Sequence, residues 1–106
     1  PRPVAVALAA GMVVSDEPGI YREEQYGIRI ENILAVKFDG TTEFGPFLSF
    51  EVLTLCPFER KLIDTSLLTS HEVSMVDSYH AWVREELSRH LDPSTAAWLA
   101  EATAAL

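Results

Sequence analysis

Apolar and polar positions alternate in the first half of the chain and recur at helical spacing in the second. Residues 12–15 are short, apolar and β-branched, and read as a strand that the "EPG" at 17–19 ends with a turn. "REEQ" at 22–25 is a polar loop. The stretch 27–38, "GIRIENILAVKF", opens as a clear alternation: Ile28 and Ile30 point one way, Arg29 and Glu31 the other. "DGTTEFG" then reads as a turn, and "FLSFEVLTL" as a third strand that ends before Pro57 and offers an edge. Beyond it, Thr69 is a good N-cap and Glu72, three residues on, completes a capping box. Val73, Val76, Tyr79 or His80, Val83 and Leu87 follow at helical spacing to about residue 91. Asp92 before Pro93 starts another helix, Ala-rich and carrying Trp98 and Leu99, to about residue 104. Strands followed by helices predict an α+β fold with an antiparallel sheet.

The length of 106 residues suits one small domain, and 48 % hydrophobic residues are enough for a core. Sixteen acids against eight Lys and Arg give a net charge of −8, which argues against nucleic acid or an anionic membrane as partner. With Cys56 as the sole cysteine there is no intrachain disulfide and no thiolate zinc cluster, and a reducing compartment is the simplest reading. Cys56 itself, just before Pro57, reads as a small buried hydrophobe. No apolar run approaches the ~20 residues of a membrane helix. The opening "PRPVAVALAAG" has too little charge for a signal peptide and no initiator Met, so the chain is expected to be a processed or excised piece.

Glu17 and Glu31 are the chemical question. Each lies within or beside an apolar strand, where an uncompensated carboxylate is costly. If the two strands are antiparallel neighbours, the acids converge on one point. Two close carboxylates repel unless a cation lies between them. Arg29 is one candidate, and a hard divalent ion such as Mn²⁺ or Mg²⁺ is another. By spacing alone, such glutamates are ordinarily solvated or salt-bridged surface residues. No HExxH, CxxC, P-loop or GxSxG motif occurs to favour the metal over that surface reading. His71, His80 and His90 fall on or beside the helices, in surface or packing roles. Phe58, Tyr79, Trp82 and Trp98 read as packing aromatics.

"GMVVSDEPGIY", a polar loop and "GIRIEN" resemble the end of the metallopeptidase half of aminopeptidase P, a pita-bread metallopeptidase. "FLSFEVLTLCPFERKLIDTSLLT", "YHAWVREEL" and "AAWLAEAT" are similar to the C-terminal extension of its larger subgroup, so the resemblance spans nearly the whole chain. It implies an incomplete pita-bread half, with residues 1–45 ending the catalytic domain and 46–106 forming the extension. It implies hydrolysis of the N-terminal Xaa-Pro bond of peptides by a cytoplasmic enzyme with two metal ions, commonly manganese. Glu17 would bind one metal and move the proton of the attacking water, and Glu31 would bridge both. Tyr21 would line the substrate site, and Arg29 would steady the carboxylates or the substrate. The two Asp and one His that complete the family's ligand set lie upstream of "EPG" and are missing here. The 106 residues alone are therefore expected to be inactive. Subunit contacts of the parent family and the open edges of a half-sheet imply a homo-oligomer. A non-catalytic relative that uses the same fold to bind proteins is the competing class, and retention of Glu17, Tyr21, Arg29 and Glu31 favours the enzyme.

Overall fold

The computed structural model describes residues 6–106, so the first five residues of the opening apolar stretch lie outside it. The chain divides into two compact units between Thr54 and Leu55. The first is all β, with β1 (Val13–Asp16), β2 (Gly19–Arg22), β3 (Tyr26–Arg29), β4 (Asn32–Thr42) and β5 (Gly45–Val52). All pairings are antiparallel: β1, β4 and β5 lie in that order in one sheet, and β2 pairs with β3. The second unit has two short 3₁₀ turns, Arg60–Leu62 and Thr65–Leu67, then α1 (Ser70–Ser88) and α2 (Pro93–Ala102). Antiparallel strands followed by C-terminal helices make an α+β chain, as expected.

Three boundaries differ from the sequence reading. "EPG" ends the first strand, at Asp16, but makes no turn; the chain resumes as β2 at Gly19 and turns back only at Glu23–Gln25, where the Gln25 N–H donates to the Arg22 carbonyl at 3.1 Å. The single strand expected over 27–38 is two, β3 and β4, interrupted at Ile30 and Glu31. Pro18 is the cause: it faces Ile30 and has no N–H to give, so that pair keeps one bond, Ile30 N–H to Pro18 O at 3.2 Å. The "DGTTEFG" turn shrinks to Glu43 and Phe44, since β4 runs on to Thr42 and Gly45 (φ 110°) takes the left-handed conformation that starts β5. β5 is an edge strand, as the sequence suggested.

Among the described residues, Val36 is the one fully buried apolar side chain of the first unit, while Ile20, Ile28, Phe38 and Phe50 are more than half exposed. A sheet this bare on both faces holds few of the contacts that normally stabilise one.

The helical unit has the better core. The capping box at Thr69 forms as expected: Thr69 N–H donates to Glu72 Oε2 at 2.7 Å, and Glu72 N–H to Thr69 Oγ1 at 3.3 Å. Asp92 caps α2 by accepting from the Ser94 and Thr95 backbone and side chains; the Thr95 hydroxyl foremost holds its carboxyl well below the ordinary carboxylate range. α1 packs on α2, and His80, Val83 and Leu99 are the fully buried side chains they contribute. Phe58 stacks on Tyr79 with ring centroids 4.9 Å apart. The reading of Cys56 as buried is corrected: it is exposed. The Tyr79 hydroxyl donates to the Cys56 carbonyl at 3.0 Å and accepts from its N–H at 3.4 Å, which fixes the backbone, and it is Phe58 that turns inward. His71 and His90 are exposed, as expected.

His80 makes the unit pH-sensitive. Its ring is fully buried, and Nε2 accepts from the Phe58 N–H at 3.0 Å. Nδ1 has no partner of normal hydrogen-bond geometry, although the Ala104 backbone favours the protonated ring. Burial foremost, then Arg60, pushes the imidazole below its ordinary value, against the opposing pull of Asp77. The folded unit therefore binds the proton more weakly than the unfolded chain. This stabilisation is complete above a pH of about 6.5, the value of an unperturbed His, and is lost as pH falls below it toward the folded value. The urea midpoint should fall between pH 7.5 and pH 5, with a shallower fall in His80→Gln. Equal slopes in the two proteins would assign the pH dependence to other groups.

Candidate metal centre

One antiparallel register runs through both halves of a long hairpin. Asp16 faces Asn32 and Gly19 faces Arg29, which leaves Glu17 facing Glu31 across the Pro18 interruption. Since Pro18 and Ile30 form the hydrogen-bonded pair, the glutamates occupy the adjacent non-hydrogen-bonded position, where facing side chains come closest. The convergence expected from the sequence is present.

The period of two sorts the hairpin into two faces. One carries Ser15, Glu17, Gly19 and Tyr21 opposite Ile33, Glu31, Arg29 and Gly27. The other carries Pro18, Ile20, Tyr26, Ile28 and Ile30, which line an apolar groove of about 410 Å³.

On the polar face Arg29 stands between the acids. Its Nε lies 3.0 Å from Glu31 Oε2, and its Nη1 3.6 Å from Glu17 Oε2. The Tyr21 hydroxyl, first, and Glu31, next, raise the guanidinium above its ordinary pKa, so it stays charged. The Ser15 hydroxyl donates to Glu17 Oε1 at 2.7 Å. Tyr21 lies flat across the hairpin because there is no side chain beneath it. A Cβ on Gly19 would come 2.6 Å from its hydroxyl, and one on Gly27 2.9 Å from the ring. Gly27→Ala should therefore lift Tyr21 off Arg29. The expected sign is faster solvent exchange of the Arg29 Nε–H by NMR. In a Tyr21→Ala background, Gly27→Ala should add nothing further.

Two carboxylates against one guanidinium leave a net negative charge. The Glu17 and Glu31 side chains are 50 % and 36 % exposed, so their oxygens stay open to an ion. An all-oxygen donor pair of this kind suits a hard divalent cation as two of its ligands. Among the described residues no third His, Cys, Asp or Glu joins them. The four residues expected from the sequence are thus brought together, and Ser15 joins them. The sequence reading missed Ser15, although its place two residues before Glu17 already put it on the same face.

Comparison with known proteins identifies the family. The profile described as the C-terminal region of peptidase_M24 matches residues 46–106, more than half of the chain, and that of metallopeptidase family M24 matches residues 3–37. The chain belongs to the M24 metallopeptidase family. Among its M24 relatives, a "Probable Xaa-Pro aminopeptidase P" of Fusarium vanettenii is 49 % identical over 93 % of this chain and 17 % of its own length. "Aminopeptidase P1" of Lotus japonicus is 42 % identical over 96 % of this chain and 16 % of its own. The chain therefore spans about a sixth of the length of the curated relatives it matches. A solved X-prolyl aminopeptidase of Caenorhabditis elegans, described as a cytosolic enzyme with a di-nuclear active site, superposes with a TM-score of 0.83. It is 37 % identical, and the match covers 99 % of this chain and 18 % of that one. The incomplete pita-bread half expected from the resemblance holds at the level of the fold.

Proposed function

We propose that this chain is the C-terminal part of a two-metal aminopeptidase that removes an N-terminal residue preceding proline. The observation that carries the reading is the facing pair Glu17 and Glu31, bracketed by Arg29, on a chain whose M24 relatives are named Xaa-Pro aminopeptidases. Residues 1–45 would end the catalytic domain and 46–106 form its extension.

Glu17 and Glu31 would hold the metal pair, and the oxygen-only donors suit manganese. A bound divalent pair supplies Lewis acidity, which makes water a stronger acid and polarises a peptide carbonyl. Glu17, open to solvent, would accept the proton of the attacking water. Arg29 lies within ion-pair distance of both carboxylates and offsets their repulsion, which supports its steadying role. Tyr21, anchored on Arg29 with most of its ring exposed, lines the substrate site. The enzyme would act in the cytoplasm, where a lone exposed thiol stays reduced. The bare faces and the β5 edge, unpaired among the described residues, favour a homo-oligomer.

An assay with Mn²⁺ and an Xaa-Pro peptide tests the reading. The full-length protein should release the first residue, and the 106-residue chain should not, because it carries two of the five expected ligands. Turnover by the isolated chain would show that these residues suffice. An inactive full-length protein would overturn the aminopeptidase assignment.

A further inference from the structure

We propose that Ser15 is a positioning residue for Glu17, holding its carboxylate off Arg29 and turned toward the metal; the inference rests on the two-metal reading above. Glu17 is gripped at both ends. The Ser15 hydroxyl donates to Oε1 at 2.7 Å, from one step up β1. Arg29 Nη1 lies 3.6 Å from Oε2, from the other side. The Arg29 contact to Glu31 is the shorter, at 3.0 Å. The guanidinium therefore pairs with Glu31 and only leans on Glu17.

A guanidinium beside an unrestrained carboxylate is drawn into a two-bond ion pair. Such a pair would occupy the Glu17 oxygens with donors and neutralise the charge that attracts a cation. Ser15 opposes that collapse with a neutral donor. It takes one lone pair of Oε1, fixes the plane of the carboxylate and leaves its negative charge in place. The strand geometry makes this possible: residues two apart share a face, so Ser15, Glu17 and the facing Glu31 lie on one surface. Hydrogen bonds of this kind to a ligand fix its orientation, and their loss typically costs 10–100-fold in metal affinity.

The test uses the full-length protein and Mn²⁺ alone, with free Mn²⁺ followed by EPR. Ser15→Ala should weaken Mn²⁺ binding by about 10–100-fold. Ser15→Thr retains the hydroxyl and should restore it. Glu17→Ala is the control that reports on the metal reading itself. If Glu17→Ala loses Mn²⁺ and Ser15→Ala binds it as the wild type does, Ser15 has no positioning role and the metal site stands. The positioning role fails equally if Ser15→Thr is as weak as Ser15→Ala, since the hydroxyl would then not be the cause. If Glu17→Ala binds Mn²⁺ as tightly as the wild type, the two-metal reading fails and the role of Ser15 falls with it.

Discussion

Glu17→Gln in the full-length protein should lower kcat/KM on an Xaa-Pro peptide by about 10²–10⁴-fold, the range typical of removing a general base. Gln keeps the shape of the side chain and an oxygen that accepts from the Ser15 hydroxyl, so the hairpin should be unchanged. It removes the negative charge and the capacity to take a proton. Much of the loss should appear in kcat, because the substrate is held by other groups. Arg29 should then pair with Glu31 alone. Steady-state kinetics at saturating Mn²⁺ separates a loss of chemistry from a loss of metal. Near-wild-type turnover at saturation would remove Glu17 from the reaction.

Leu99→Ala should destabilise the helical unit by about 2–5 kcal/mol, as large-to-small changes in a core do. Leu99 is 1 % exposed on a helix of ten residues, too short to stand without packing. Its carbonyl accepts both the Thr103 hydroxyl at 2.6 Å and the Thr103 N–H at 2.9 Å, which closes the end of α2. Thr103 in turn accepts from Arg84 of α1 through its carbonyl at 2.7 Å and its hydroxyl at 3.0 Å. A cavity at Leu99 therefore loosens the apolar packing and the polar ties between the helices together. Its neighbour Trp98 is larger but 58 % exposed, and Trp98→Ala should cost far less. Urea denaturation followed by circular dichroism compares the two. A greater loss from Trp98→Ala would mean that α2 buries the other face.

Much of this was legible along the chain because it is local. Thr69 with Glu72, and Asp92 with Pro93, mark the helix starts within a few residues of one another, so their hydrogen bonds need no distant partner. The alternation in "GIRIEN" put Arg29 and Glu31 on one face without reference to the rest of the fold. Less legible was the effect of Pro18 on a strand twelve residues away. A missing N–H on one strand breaks the ladder of its partner, and that depends on register. Cys56 departs from expectation for a similar reason: apolar character favours burial, but the grip of Tyr79 on its backbone decided which neighbour turned inward.

The glutamates show the division most sharply. The sequence by itself determined that two carboxylates and an arginine lie within or beside strands and that their residue types suit a hard cation. The tertiary structure decided that Glu17 faces Glu31, that Arg29 divides its contacts unequally between them, and that Ser15 grips the far oxygen of Glu17. Residue type and spacing set what each side chain is able to bind. Only the pairing register brings chemistry from either side of a turn within hydrogen-bond distance.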